Sequence, residues 1–217
     1  MLTGTLARPP TQKVAAHVVH LVDDDEAVRR SLALLLASHG YASELYASAE
    51  AFLAATGRIK PGCMIVDIRM SGMDGLELQE ELNRRGFKMP MIIVTGHGDV
   101  GLAVRAMKAG AIDFVEKPYT ESDLVRAVNE ALARFEDDQQ QQQQVAAAEA
   151  RVALLTARER DVLALLCGGR PNKVIAHELG ISPRTVEIHR ANVMEKLDAR
   201  SLAEAVRVAL SAGFAVA

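Results

Sequence analysis

Tryptophan is absent from this chain, aromatic residues make up only 4%, and 217 residues contain just two cysteines. So few flat rings argue against a pocket for carbohydrates or aromatic ligands. Cys63 and Cys167 sit inside apolar segments with no metal-ligand spacing, which excludes a disulfide scaffold or a thiolate metal knot and fits buried, reduced thiols. No apolar run approaches the roughly 20 residues needed to cross a bilayer, so no membrane partner is expected. Residues 1–15, with Pro9, Pro10 and two cations, lack the continuous apolar core of a signal peptide and read as a disordered tail. A cytoplasmic protein is the expectation.

What is present supports real cores: 49% of residues are apolar, and the length suits two domains of ordinary size. The formal net charge of −3 is unevenly spread. Acidic side chains outnumber basic ones over residues 1–138, and the reverse holds over 151–217. An acidic front and a mildly basic back suit a chain whose C-terminal part meets a polyanion, although the excess is too small for one copy to bind DNA tightly.

Short apolar runs at 17–22, 63–66, 91–94 and, less purely, 113–116 alternate with helical patterns near 25–39, 48–56, 74–85, 99–109 and 120–135. Strand followed by helix, repeated, implies an α/β domain with five strands in a parallel sheet and five helices on its two faces. Glycines at 40, 57, 86 and 110 mark helix stops, and residues 120–123 (TESD) form a capping-box pattern after Pro118. Residues 136–151, with six consecutive glutamines from 139 to 144, have almost nothing to bury and read as a linker, flexible or an exposed continuation of the preceding helix. Beyond it no strand pattern appears. Capping boxes at 156–159 and 201–204, and a helix 172–179 turning at Gly180 into one capped by Ser182 with Pro183 at its first position, describe a small all-α helix-turn-helix domain over 152–217.

In a parallel α/β sheet the carboxyl ends of the strands share one edge, and ligands bind there. Asp23, Asp24, Asp67, Thr95 and Lys117 all stand where an apolar run ends. Three carboxylates, a hydroxyl and an ammonium are the inventory for a divalent cation and a phosphoryl group. Asp23 and Asp24 can offer oxygen ligands to Mg2+, Asp67 can attack a phosphoryl donor, Lys117 can neutralise charge on the transferring group, and Thr95 can reach a phosphoryl oxygen. One alternative is a phosphatase of the haloacid-dehalogenase type, in which Asp23-x-Asp25 would carry the phosphate on Asp23. Another is a regulator that works through partner contacts alone.

The 183–197 helix separates cleanly by helical period. Val186, Val193 and Leu197 form an inward stripe, while Arg184, Glu187, Ile188, Ala191 and Glu195 share another face. A glutamate can accept from cytosine and Ile188 or Ala191 can touch a thymine methyl, while Lys173, Arg190 and Lys196 suit phosphates. An ordinary solvated helix would fit the same periodicity.

The motifs Leu21-Val-Asp-Asp-Asp-Glu26, Val66-Asp-Ile-Arg-Met70, Val94-Thr-Gly-His97 and Glu116-Lys-Pro118 resemble a response-regulator receiver domain of flavodoxin-like fold, covering residues 16–135. The C-terminal part is similar to the LuxR-type helix-turn-helix. With Thr95-Gly-His-Gly-Asp99 and Ser182-Pro-Arg-Thr-Val-Glu-Ile-His-Arg-Ala-Asn-Val-Met194, the chain resembles the FixJ branch of the NarL/FixJ family. The resemblance implies a two-component response regulator, not an enzyme beyond assisting its own phosphotransfer and dephosphorylation. Asp67 becomes the phosphoacceptor for a sensor histidine kinase. Asp23, Asp24, Asp67 and the Arg69 carbonyl become Mg2+ ligands, and Thr95 and Phe114 the switch pair. Lys117 precedes a proline whose peptide bond is typically cis, and Arg69 and His97 match positions that tune hydrolysis. On this resemblance Glu187, Ile188 and Ala191 face bases, with Arg184 and Thr185 beside them at the helix start. Val104 and Lys108 lie on a face that pairs in a homodimer on phosphorylation, the helix near 201–212 assists pairing, and RNA polymerase is a further partner. Ser71 departs from the pattern, which usually has proline there; a loosened turn and an altered phosphoryl lifetime are expected.

Overall fold

A computed structural model describes residues 17–96 and 100–214. The tail expected at 1–15, and His97, lie outside the described residues. The chain divides into two compact units at Asp137/Asp138.

In the first unit, β1 (Val18–Val22), β2 (Ala42–Tyr46), β3 (Gly62–Asp67), β4 (Met91–Thr95) and β5 (Asp113–Glu116) form one parallel sheet in the order β2-β1-β3-β4-β5. The strands that read as continuous apolar runs are the interior ones. β1 and β4 are buried along their whole length, as strands covered on both faces must be. Alternate side chains serve opposite faces. Val22, Met64, Val66, Met91 and Ile93 pack with Phe52, Leu76 and Leu82 from α2 (Ala49–Ala55) and α3 (Gly75–Arg84), and with Ala106 from α4 (Val100–Lys108). Val19, Leu21, Cys63, Ile65, Ile92 and Val94 pack with Leu32 and Leu36 from α1 (Glu26–Ser38) and Leu124, Val128 and Ala131 from α5 (Glu121–Ala153). Each large buried side chain, such as Phe52 or Ile65, contributes about 2–3 kcal/mol of burial free energy. β2 carries no apolar run because it is an edge strand with mixed burial.

Local chemistry sets the helix starts at the functional edge. Asp25 caps α1, accepting the Ala27 and Val28 N–H groups, and Asp74 caps α3 in a capping box with Glu77. Gly40, Gly86 and Gly110 stop their helices with left-handed φ values of 83°, 67° and 99°. Gly57 does not act in this way: α2 ends at Ala55 and a 3-10 turn, Thr56–Arg58, carries the chain onward.

The longest helix is α5, which runs unbroken through the six glutamines to Ala153. Of the two forms expected for 136–151, the helical one occurs. Its C-terminal portion belongs to the second unit, since Ala148 is buried and Arg151 donates to the Leu197 carbonyl at 3.2 Å.

The second unit continues with α6 (Ala157–Cys167), α7 (Asn172–Leu179), α8 (Pro183–Lys196) and α9 (Leu202–Ser211). Thr156 and Glu159 form the expected capping box. At Ser201 only half of it forms, because the Glu204 carboxylate accepts the Arg200 N–H instead. Gly180 turns α7 into α8 with φ 63°. Val186, Val193 and Leu197 are fully buried, so the inward stripe read from the period is the core of this unit. Cys63 is buried and its thiol is pushed up to about 12 by burial; Cys167 is half-buried, and both are free.

Candidate functional site

The order β2-β1-β3 makes the gap between β1 and β3 the point where connections leave in opposite directions, and ligand crevices form outside the strand ends there. Asp23 follows β1, Asp67 ends β3, Thr95 ends β4 and Lys117 follows β5. Lys117 Nζ lies 2.8 Å from Asp67 Oδ2 and 3.7 Å from Asp23 Oδ2. The Lys117 N–H donates to the Thr95 carbonyl at 2.8 Å, and the Lys117–Pro118 peptide bond is cis. Thr95 is buried, its hydroxyl donating to the Gly96 carbonyl at 3.4 Å. The Arg69 N–H donates to Asp67 Oδ1 at 3.3 Å. Gly75 lets α3 start against this edge: a Cβ there would stand 2.5 Å from the Asp67 carbonyl oxygen.

The site is electrostatically tense. Burial pushes the Asp23 carboxyl above its ordinary pKa, the Asp25 N–H pulls it back, the neighbouring Asp67 charge pushes it up again and Lys117 opposes that. Burial acts against the Lys117 ammonium, but its hydrogen bond to Asp67 and the charges of Asp67 and Asp23 outweigh burial, and its pKa is raised. Asp24 behaves differently. Its Oδ2 accepts both the N–H and the hydroxyl of Ser71, each at 2.8 Å, and this pair of donors holds its carboxyl low. Among the described residues no three carboxylate, imidazole or thiol groups already converge as a metal cage. The donor chemistry nonetheless suits Mg2+: oxygen ligands only, and crowded carboxylates whose repulsion a divalent cation relieves.

On α8, Arg184, Glu187, Ile188 and Ala191 are exposed, with Ile188 at 56%, while Thr185 is half-buried under the Ser182 cap. Lys173 on α7 is exposed. Arg190 donates to Asn172 Oδ1 at 3.4 Å. Lys196, expected at a phosphate, has a partner within the unit: its ammonium sits 2.7 Å from the buried Glu159 carboxylate, which braces the bundle, while about a third of its side chain stays in solvent. In the first unit Val104, Met107 and Phe114 are exposed at 47%, 40% and 43%, and Lys108 is exposed beside them on α4.

Residues 19–129 match the response regulator receiver domain family, and residues 153–209 match the luxR family of bacterial regulatory proteins. The transcriptional regulatory protein FixJ of Azorhizobium caulinodans is 52% identical over 199 residues, spanning 92% of this chain and 94% of that one. FixJ of Rhizobium meliloti is 46% identical, spanning 91% of this chain and 97% of that one. The chain belongs to the NarL/FixJ family of two-component response regulators. Among solved structures, the response regulator StyR is similar at TM-score 0.79 and 42% identity, over 90% of this chain and 99% of that one. Full-length FixJ from B. japonicum is similar at TM-score 0.58 and 44% identity, over 92% and 98%. This FixJ-like regulator therefore joins a receiver to a LuxR-type DNA-binding domain, as a transcriptional regulator of a two-component system.

In the regulator, Asp25 is the α1 cap, which removes it from the role it would hold in a dehalogenase-type phosphatase. No helix among the described residues is long and apolar enough to cross a membrane. Sequence reasoning missed the Asp24–Ser71 bond, whose partners are 47 residues apart. It also missed Glu50, which accepts the Met73 N–H at 3.1 Å and steadies the same loop, and Glu159, recognised only as a cap. A glutamate in a capping box that also falls on the buried face of its helix was the available signal for the last.

Proposed function

We propose that Asp67 accepts a phosphoryl group from a sensor histidine kinase and that phosphorylation controls promoter binding. The observation that carries this reading is the Lys117–Asp67 contact of 2.8 Å with Asp23 alongside at the carboxyl edge of the sheet. An Asp67 carboxylate oxygen attacks phosphorus in line, the P–N bond to the kinase imidazole breaks as the P–O bond forms, and the imidazole leaves with a proton. Lys117 shifts its hydrogen bond from the carboxylate to a phosphoryl oxygen, holding the charge that arrives. Mg2+, held by Asp23, Asp24, Asp67 and the Arg69 carbonyl, would supply further positive charge against the transferring group.

Thr95 then turns its hydroxyl to the acyl phosphate and Phe114, now exposed, moves inward. The face around Val104 and Lys108 pairs two copies, which place two α8 helices on adjacent half-sites of double-stranded DNA. Glu187, Ile188 and Ala191 read bases, Arg184, Thr185, Lys173 and Arg190 position the backbone, and RNA polymerase is the downstream partner. The protein works in the cytoplasm and turns over no substrate other than its own phosphoryl group.

The test treats wild type and Asp67→Asn with acetyl phosphate and Mg2+, then measures light scattering, promoter-fragment binding and the mass of the modified peptide. Wild type alone should gain a phosphoryl mass on Asp67, dimerise and bind tighter. Equal responses from both proteins would refute phosphorylation at Asp67 as the switch.

A further inference from the structure

One carboxylate oxygen ties together two loops of the acidic site. Asp24, between β1 and α1, is exposed, and its Oδ2 accepts the Ser71 N–H and the Ser71 hydroxyl at 2.8 Å each. Ser71 lies on the loop between β3 and α3, whose far side is fixed where Met73 N–H meets Glu50. Asp23 and Asp67 are differently placed: they turn to Lys117 and remain grouped around it.

We propose that Ser71 is a latch that competes with a divalent cation for Asp24, so that the metal affinity of this receiver is set in part by Ser71. This rests on the reading of the acidic site as a Mg2+ site. A carboxylate oxygen that already accepts two short hydrogen bonds has given up lone-pair density and orientation that a metal would use. Holding Asp24 in this way takes a backbone N–H together with a side-chain donor, and serine supplies both. Proline, lacking an amide hydrogen, can do neither, and alanine keeps only the amide donor. When a cation takes Asp24 the latch opens, and the β3–α3 loop loses this tie to the β1–α1 loop. Cation occupancy and the freedom of the loop that follows Asp67 are therefore linked.

Calorimetric titration of the full chain with MgCl2 tests this in wild type, Ser71→Ala, Ser71→Pro and Asp23→Asn. Affinity should rise by about 3-fold in Ser71→Ala and about 10-fold in Ser71→Pro, the scale expected for removing one and then two partly solvated hydrogen bonds to a carboxylate. In an amide-resolved NMR titration of wild type, the Ser71 N–H signal should move upfield as Mg2+ is added, reporting loss of its carboxylate acceptor. If Ser71→Pro proves unfolded by circular dichroism, Ser71→Ala and the Ser71 amide carry the test. Unchanged or weaker binding in the serine variants, with binding abolished in Asp23→Asn, would overturn the latch and leave the metal site standing. No binding by wild type, or equal binding by Asp23→Asn, would overturn both.

Discussion

Glu159 and Lys196 make the clearest quantitative prediction for the DNA-binding unit. Glu159 is 3% exposed, and its carboxylate accepts the Lys196 ammonium at 2.7 Å and the Thr156 N–H at 2.8 Å. Lys196 first, then Thr156, pull its pKa from 4.5 to about 2. At about 1.4 kcal/mol for each tenfold change in proton affinity, the ceiling on this contribution is about 3.5 kcal/mol. Lys196 keeps 34% of its side chain in solvent, and screening on that side reduces the figure to about 2 kcal/mol. A folded-state pKa lowered in this way means stability fully present above pH 4.5 and lost as pH falls toward 2. Native-state hydrogen exchange on the full chain reads this locally. Glu159→Gln should lower protection of α6 and α8 amides by about 30-fold at neutral pH, and the difference should close in strong acid. Lys196→Met should cost more, because it leaves a buried carboxylate without its counter-charge. In DNA binding, Lys196→Met should leave the salt dependence of affinity unchanged. A slope smaller by about one, or undiminished protection in Glu159→Gln, would refute the assignment of Lys196 to the bundle.

The remaining predictions concern both units. Burial first, and then the Asp67 charge, raise the folded-state pKa of Asp23, so its ionised form burdens the fold at neutral pH and the burden is relieved as pH falls; Asp23→Asn should raise the melting temperature of the metal-free protein while abolishing Mg2+ binding. Gly75→Ala places a Cβ 2.5 Å from the Asp67 carbonyl and should cost about 1–3 kcal/mol in denaturant titrations, with slower phosphorylation of Asp67. His20 is fully buried and burial lowers its pKa, so it stays neutral in the fold while the unfolded chain takes up a proton; stability should decline as pH falls below 6.5, and the decline should be absent from His20→Gln. Ile188→Ala and Glu187→Gln should each relax base preference by about 1–3 kcal/mol in selection from randomised operators, leaving nonspecific affinity nearly constant.

Much of this was legible because it lies in short-range pattern. Asp23, Asp67, Thr95 and Lys117 each end an apolar run, and parallel topology alone carries run ends to one edge, so their convergence followed from period and connection. The inward stripe of α8 followed from helical period in the same way. β2 was harder, since an edge strand buries only part of each side chain and leaves no apolar run. The continuation of α5 through the glutamines was open because glutamine favours a helix without requiring one. Asp24 with Ser71, and Glu159 with Lys196, were illegible for a different reason. Each joins polar residues far apart in sequence, 47 and 37 positions, that by type alone belong equally well to solvent.

The sheet has two open edges, and each is poorly suited to recruiting another strand. β2 is five residues long with Glu44 at its centre, its carboxylate held by Lys60 at 2.9 Å and by the Tyr46 hydroxyl at 3.0 Å. β5 is four residues long and carries Asp113 and Glu116 at its ends. A backbone ladder growing outward from either side would bring carboxylates against the incoming chain over a very short run. Short, charged edges of this kind disfavour strand-by-strand growth of the receiver sheet, so any pairing of two copies would have to use its side-chain faces instead.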